Sequence, residues 1–127
     1  MTTPTFLDPP QPGLPFAAGV VCDRLLFLSG QIGVDVDGRL GDTLERQVDL
    51  AMRNLGDALA QAGAELRHIV KCTVMLKDMA RWAEFNSYYL RHFPPDRLPA
   101  RSAFGGVDLA FGAAFEIDCT AVLPDKI

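Results

Sequence analysis

One arginine and one glutamate near the end of the chain have the residue types for small-molecule chemistry. Arg101 stands in the sequence Pro-Ala-Arg-Ser of residues 99–102, and Glu116 lies in the strand-like run Phe-Glu-Ile-Asp of residues 115–118. A guanidinium binds a carboxylate through two parallel hydrogen bonds, which a lysine does not match. A nearby glutamate orients or activates a water. Together they suggest hydrolysis of a small acidic substrate without a metal or cofactor.

Both residues also have simpler interpretations. Arg101 fits a surface arginine at a strand start, although the preceding Pro99 and the small residues on both sides favour a held side chain. Glu116 fits a solvated strand face. If oligomerisation buries that face, its acids need partners, because an unpaired buried charge is costly. Arg101 on a neighbouring strand or subunit is a natural partner.

Asn86 and the pair Ser29-Gly30 are further candidates. Asn86 shares an apolar arc of a predicted helix, where an amide without hydrogen bonds costs about 1–3 kcal/mol. It therefore bonds backbone groups or faces a ligand. Ser29 and Gly30 end an apolar strand, where a hydroxyl and open backbone amides form a rim at which anions bind.

Two helices must position these residues. Apolar side chains at helical spacing predict one helix over residues 43–62 and another over residues 79–92, with Trp82 on the inner face of the second. Asp42, followed three residues later by a glutamate, resembles a capping box, and Gly63 fits a left-handed position after the first helix. Asp78 is the predicted cap of the second helix.

The strands are predicted from apolar runs and from alternation. In the run from residue 69 to 77, Val70 is expected on the same side as the apolar residues 72, 74 and 76. The loop of residues 31–42 has room for another short strand. The five predicted strands span residues 17–22, 25–29, 69–77, 101–107 and 113–122.

This order predicts an α/β (α+β) fold with a mixed sheet of five or six strands and two helices on one face. The runs over residues 17–22 and 25–28 are apolar on both sides of their strands. Because two helices cover one face only, the other face would expose a large apolar patch in a monomer. The sequence therefore predicts a homo-oligomer.

The chain has 127 residues and a formal net charge of −4, with a sequence pI of about 5.0. This length fits one domain, which we place over residues 15–127. The proline-rich residues 1–14 are expected to form an extended arm rather than a packed element. The acidic balance argues against an extended nucleic-acid footprint.

Three well-separated cysteines, Cys22, Cys72 and Cys119, lack metal-ligand spacing. Each lies in an apolar run and is expected to be a buried, reduced thiol, which suits a reducing cytosol. The N-terminus does not resemble a signal peptide, and no segment is long and apolar enough to span a bilayer. We therefore expect a cytoplasmic protein without a membrane partner.

The motifs together resemble the RidA family, also called the YjgF/YER057c/UK114 family. The resemblance covers roughly residues 15–122. The Leu-Ser-Gly-Gln-Ile block at residues 28–32 and the Pro-Ala-Arg-Ser block at residues 99–102 are specific to that family. Further matching blocks lie at residues 15–16, 54–55, 62–64, 70–74, 86–89 and 115–118.

This resemblance implies a chorismate-mutase-like fold and a homotrimer with a cleft at each subunit interface. It also implies hydrolysis of 2-imino acids, or their 2-aminoacrylate-type enamine tautomers, to 2-keto acids and ammonia, without a cofactor or metal. By position, Arg101 would clamp the substrate carboxylate and Glu116 would orient the attacking water. Ser29, Gly30 and Asn86 would line the pocket.

The chain departs from the family pattern at two pocket positions. Phe16 stands where the family usually has tyrosine, and Ala103 stands where characterised deaminases often have cysteine. The pocket is therefore more apolar than usual, and a missing hydroxyl removes a hydrogen bond worth about 0.5–1.5 kcal/mol. A larger or more apolar imino acid, or a different enamine substrate, fits this change.

Two other functions remain alternatives. A non-catalytic carboxylate-binding or stress-related regulatory protein would use the same Arg101 to hold a ligand without turnover. An endoribonuclease or translation inhibitor is disfavoured because the chain is acidic and has no continuous basic stripe.

Overall fold

The computed structural model describes residues 3–125 as a six-stranded mixed sheet with two α-helices on one face. The strand order is β1-β2-β3-β6-β4-β5, in which the β4–β5 pair is parallel and the other pairs are antiparallel. This confirms the predicted fold class. The elements are β1 (Thr5–Leu7), β2 (Gly19–Cys22), β3 (Leu25–Leu28), α1 (Leu44–Gln61), β4 (Ile69–Leu76), α2 (Trp82–Tyr89), β5 (Ala100–Gly105) and β6 (Phe115–Val122).

The N-terminal segment contributes β1, which corrects the prediction of an arm without a packed element. Residues 5–7 pair antiparallel with β2, and Leu7 is buried in the core. The prolines that suggested an arm lie on either side of these three residues, at positions 4, 9, 10, 12 and 15. Since Thr5–Leu7 keep their amide groups, they form an edge strand of the sheet.

Helix α1 follows its prediction closely, apart from its cap. The N-cap is Thr43, whose hydroxyl accepts from the amide of Arg46 at 3.1 Å, so the assignment to Asp42 was wrong by one residue. Threonine is also a preferred cap, which makes neighbouring candidates hard to separate from sequence. Gly63 has a φ of 74°, as predicted for the residue after the helix.

The second helical segment is one α-helix between two 3₁₀ turns instead of a continuous helix. The turns span Met79–Arg81 and Leu90–His92, and the Asp78 side chain accepts from the amide of Ala80 as the predicted cap. Such tight turns are common at helix ends. Trp82 is 40% exposed, which corrects its placement on the buried face.

Strand β4 contains a local irregularity that changes one predicted side chain. Ile69 pairs with Ala121 and Lys71 with Thr120, so the register shifts between them. Ile69 is consequently buried, whereas Val70 is 46% exposed. A bulge turns the residues before it to the other face, which strict alternation does not anticipate.

The two faces of the sheet have different surroundings. One face packs against the helices and forms the core with alternate residues of each strand. The other face carries exposed apolar side chains that include Phe27, Phe104 and Val122. The predicted imbalance between covered and uncovered apolar surface is therefore present in the single chain.

The loop between β3 and α1 is held by two amide side chains of α1. Gln47 Nε2 donates to the carbonyl of Gly41, and its Oε1 accepts from the amide of Ala114, both at 2.9 Å. Asn54 Nδ2 donates to the carbonyl of Val34 at 3.0 Å. The loop has isolated bridges rather than the extra strand that its length allowed.

Replacing Gln47 by leucine is expected to lower the free energy of unfolding by about 2–4 kcal/mol. Gln47 is 6% exposed, and the change leaves two backbone groups without partners. Gln61→Leu is the matched control, because Gln61 lies on the same helix but donates to Asp8 at an exposed site, so a change within about 0.5 kcal/mol is expected. Urea unfolding at one fixed protein concentration measures both, and equal effects would contradict the assigned role.

Among residues 3–125, no helix has the length and hydropathy needed to cross a membrane.

Candidate active site

Arg101 lies on β5 with its guanidinium held against three aromatic rings. The guanidinium carbon is 4.8 Å from the ring centre of Trp82, 4.7 Å from that of Tyr89 and 5.9 Å from that of Phe85. The negative faces of such rings attract a cation. No carboxylate within residues 3–125 forms an ion pair with Arg101. The guanidinium is therefore held in position while its charge remains available to an anion.

A cavity of about 280 Å³ opens beside this guanidinium. In the described part of the chain, Asn86 Oδ1 and the Tyr89 hydroxyl are buried without a hydrogen-bond partner. Each unsatisfied group costs about 1–3 kcal/mol, so two of them beside a cation favour a site for a polar ligand. The lining residues are Asn86, Tyr89, Leu90, Leu98, Pro99 and Arg101.

A larger cavity of about 630 Å³ contains the other candidates, Phe16, Ser29, Gly30 and Glu116. Ser29 Oγ donates to the carbonyl of Ala17 at 2.6 Å. Because its proton is used in that bond, the hydroxyl presents lone pairs to a ligand and acts there as an acceptor.

Gly30 lies directly under the carboxylate of Glu116. A Cβ atom at position 30 would collide with Glu116 Oε2. Because glycine has no Cβ, it allows this close approach, and a larger residue would shift the flexible Glu116 carboxylate. Gly30 thus leaves room for Glu116 just after β3.

The two cavities belong to opposite faces of the sheet. Arg101 pairs with Cys72, and Cys72 pairs with Cys119, so these three side chains share the helix-covered face. Glu116 precedes Cys119 by three positions on β6, and alternation turns it to the uncovered face. Arg101 and Glu116 consequently do not form a pair within one chain, although their sequence positions suggested neighbouring strands.

Ala103 lies apart from both cavities. It follows Arg101 by two positions on β5, shares the helix-covered face and packs against the hydrophobic core. The lining residues of the two cavities do not include it. In the single chain, this position therefore contributes to packing behind Arg101 and not to a pocket wall.

The environment of Glu116 favours its protonated form. Partial burial raises the pKa of its carboxyl, and the nearby negative charge of Asp118 raises it further. The folded state thus binds this proton more tightly than the unfolded state. The resulting stabilisation is present below the unfolded pKa and is lost as the pH rises through the folded pKa.

Asp118→Asn is expected to move the acidic limb of the kcat/KM profile to lower pH. The change removes a negative charge, so the pKa of Glu116 falls and its carboxylate persists at lower pH. Measured pH–rate profiles of the imine hydrolysis that the family resemblance implies test this shift. Asp57→Asn removes an exposed acid on α1 and should leave the profile in place; a shift to higher pH in Asp118→Asn would contradict the electrostatic assignment.

Two cysteines lie behind the Arg101 site. Cys72 and Cys119 are opposite each other on β4 and β6, with their Sγ atoms 3.3 Å apart, and both are buried free thiols. The hydrogen bond from the Cys119 thiol lowers the pKa of Cys72, and the same contact raises the pKa of Cys119. Cys22 is only partly buried, which corrects its predicted placement.

Several site residues were not predicted from the sequence. Trp82 and Tyr89 hold the guanidinium, and their spacing of seven positions, which places both on one helix face, was interpreted only as a core stripe. Phe111, in the turn before β6, lines the larger cavity. Its exposure and its positive φ follow from the folded turn and leave no periodic signal in the sequence.

No group of three or more His, Cys, Asp or Glu side chains within residues 3–125 is arranged to hold a metal ion.

These observations define an α+β domain with two separate candidate sites, one lined by a cation and one by an acid. The family model described as Endoribonuclease L-PSP matches residues 7–123. The chain therefore belongs to this family, which is the RidA/YjgF family that its motifs resembled.

Relatives of known name agree with this membership. A Mus musculus protein named 2-iminobutanoate/2-iminopropanoate deaminase is 37% identical over 111 residues, covering 85% of this chain and 81% of that protein. Reactive Intermediate Deaminase A, chloroplastic, of Arabidopsis thaliana is 32% identical over 111 residues, covering 86% of this chain and 59% of that protein. AldR of Lactococcus lactis, named as a candidate regulator, is 32% identical over 117 residues, covering 91% and 92%.

The fold also matches solved structures. Yeast Mmf1 superimposes with a TM-score of 0.88 at 27% identity, covering 96% of this chain and 100% of that one. Because the match covers nearly all of this chain, the likeness supports the α+β fold described above.

Proposed function

We propose that the protein hydrolyses 2-imino acids, and their 2-aminoacrylate-type enamine tautomers, to 2-keto acids and ammonia. The observation that carries this proposal is the pair of candidate sites. Arg101 is held by aromatic rings with its charge available, and Glu116 lies in a separate cavity with a raised pKa. This hydrolysis needs two parts: a clamp for the substrate carboxylate, and a carboxylate that accepts a proton from the attacking water.

The two parts meet when a second copy of the chain joins the site. Since Arg101 and Glu116 are on opposite faces of one sheet, a complete site takes Arg101 and Asn86 from one subunit and Ser29, Gly30 and Glu116 from the next. The exposed apolar side chains of the uncovered face supply a driving force for association. We propose the homotrimer that the family resemblance implies, with three equivalent clefts.

The chemical steps follow from these roles. Arg101 binds the substrate carboxylate through two hydrogen bonds and places the imine carbon beside a water. Glu116 accepts a proton from that water as its oxygen attacks the carbon of the protonated imine, which forms a neutral carbinolamine. Glu116 then gives that proton to the amino nitrogen, the C–N bond breaks, and ammonia leaves. The hydroxyl proton returns to Glu116 as the keto C=O forms, and it passes to solvent when the 2-keto acid leaves. One protonated imine and one water are consumed for one keto acid, one ammonia and one proton.

A direct assay tests this proposal. An amino-acid oxidase generates an imino acid in situ, and keto-acid release is measured with and without the purified protein. We expect faster release with the protein, and a mass three times that of one chain by native mass spectrometry. An unchanged rate with every imine tested would overturn the deaminase assignment.

A second candidate is a non-catalytic carboxylate-binding regulator. The similarity to AldR favours it, because that relative is named as a candidate regulator. The same Arg101 would hold a keto acid without turnover. Tight binding of 2-ketobutyrate by calorimetry, with no effect on imine hydrolysis, would support this function over the first.

A cytosolic location forms part of the proposal, because the free thiols at positions 22, 72 and 119 suit a reducing compartment. Fractionation of cells that express the natural chain tests it.

A further inference from the structure

We propose that the substrate is an imino acid whose side chain is apolar and at least as large as that of leucine, and that Phe111 is a specificity-determining residue. This inference rests on the proposed deamination and narrows it from small imino acids to a branched-aliphatic or aromatic class. It depends on the larger cavity and on the unusual conformation of one turn residue.

The size of the larger cavity exceeds what a small imino acid occupies. Its volume of about 630 Å³ lies within the range of roughly 300–1,000 Å³ that is typical of pockets for drug-sized ligands. A substrate with a methyl or ethyl side chain would leave most of this space to water. A larger side chain fills it and removes its own apolar surface from water.

The lining of the cavity is mostly apolar, with polar side chains in the minority. Ser29 and Glu116 lie where the proposed function places the reacting imine carbon, and the other polar side chains are Gln11, Gln31 and Asp37. The apolar part of the wall includes Leu14, Phe16, Ile32, Val34 and Phe111. This arrangement suits a molecule with a polar reacting group and an apolar side chain. It is the arrangement expected for a 2-imino acid with an extended hydrocarbon side chain.

Phe111 has a conformation that packing within its own chain does not explain. Its backbone has φ 59° and ψ 19°, and its side chain is 85% exposed. A bulky residue in the left-handed region is uncommon and strained, and such strain is concentrated at ligand-binding sites. The amide–carbonyl bonds Gly112–Leu109 and Ala113–Ala110 hold the turn on both sides of it. The turn thus presents an aromatic ring to the cavity instead of burying it.

Phe16 supplies a second aromatic ring to the same cavity. It is 47% exposed, and it stands where the family pattern has a hydroxyl-bearing ring. Its hydrocarbon edge offers a ligand contact without a hydrogen-bond requirement. The two rings, together with Leu14, Ile32 and Val34, therefore favour apolar substrate atoms in this cavity. A single added methylene in such a pocket changes kcat/KM by about 10–200-fold, which sets the scale of the expected preference.

The test compares three imines generated in situ from L-alanine, L-leucine and L-phenylalanine by an amino-acid oxidase. For the natural protein, kcat/KM with the leucine- and phenylalanine-derived imines should exceed that with the alanine-derived imine by about tenfold or more. In Phe111→Ala, the ratio of the phenylalanine to the alanine value should fall by about tenfold. A ratio does not depend on the fraction of folded enzyme, so partial misfolding does not affect the result.

Phe6→Ala is the matched control, because Phe6 is a 69% exposed phenylalanine that lines neither cavity. It should leave the ratio within about twofold of the natural value. Calorimetric binding of phenylpyruvate and pyruvate measures the same preference without turnover, and phenylpyruvate should bind about tenfold more tightly.

The outcomes separate this inference from the proposed function. Hydrolysis that is fastest with the alanine-derived imine, or an unchanged ratio in Phe111→Ala, overturns the inference and leaves deamination standing. A Phe111→Ala protein that loses both its trimer mass and its activity with every imine assigns the ring to a subunit contact and also overturns the inference. Failure with all three imines overturns deamination, and equal binding of the two keto acids would then overturn the apolar preference as well.

Discussion

Replacing Arg101 by alanine should lower kcat/KM for imine hydrolysis by about a hundredfold to ten-thousandfold. Each hydrogen bond between a charged donor and a carboxylate contributes about 1.5–3 kcal/mol, and the proposed clamp makes two. Asn86 and Tyr89, which line the same cavity, carry no charge and do not replace them. Keto-acid release at several substrate concentrations gives kcat/KM. Native mass spectrometry and circular dichroism show whether the variant is assembled and folded, so a loss of active enzyme is distinguished from a loss of kcat/KM.

Two further variants show which property of Arg101 matters. Arg101→Lys keeps the positive charge but not the planar pair of donors, so its kcat/KM should lie between those of the natural protein and Arg101→Ala. Arg97→Ala removes an exposed arginine from the preceding turn and should retain natural activity within about twofold. Undiminished kcat/KM in Arg101→Ala would show that the clamp is not part of the mechanism. That result would also overturn the deaminase assignment.

Mixing two inactive variants should restore part of the activity. Arg101→Ala lacks the clamp, and Glu116→Gln lacks the water-activating carboxylate, which is worth about a hundredfold to ten-thousandfold in rate. If each cleft takes Arg101 from one subunit and Glu116 from the next, random trimers made from equal amounts contain intact clefts at about one quarter of their interfaces. Co-refolding the two variants should therefore recover about one quarter of natural activity.

The control for this experiment is the double variant that carries both substitutions on one chain. Mixed with either single variant, it supplies neither missing group to a neighbour, so no cleft becomes complete and no activity should return. Native mass spectrometry establishes that mixed trimers form. Mixed trimers without any recovered activity would mean that both groups must come from the same subunit, which contradicts the shared cleft.

The helices and most strands follow from local patterns in the sequence. Helix α1 was predicted nearly to its ends because its apolar stripe repeats through many turns, and repetition makes the pattern robust. The shorter features were predicted less well. Strand β1 has three residues, and the exposure of Val70 depends on a bulge, so neither leaves a periodic signal. Asp42 and Thr43 are both preferred cap residues, and the turn geometry selects Thr43.

The candidate site was predicted residue by residue but not as an arrangement. Arg101 and Glu116 were identified by their chemical types and by the family resemblance, and Gly30 by its motif. The surroundings of Arg101 depend on long-range packing. Trp82 and Tyr89 come from α2, which precedes β5 in the sequence, and local sequence does not determine how this helix is oriented against the strand. The turn that exposes Phe111 likewise depends on bonds across residues 109–113.

The sequence by itself determined the family, the mixed α+β class and the chemical types at the site, because these depend on local periodicity and on short motifs. The tertiary structure decided which side of the sheet each group faces. Register pairs Arg101 with Cys72, and Cys72 with Cys119, on the helix-covered face, and alternation along β6 turns Glu116 to the other face. Side-chain direction in a sheet reverses at every residue, so this relation depends on an exact register between distant strands that local sequence does not encode.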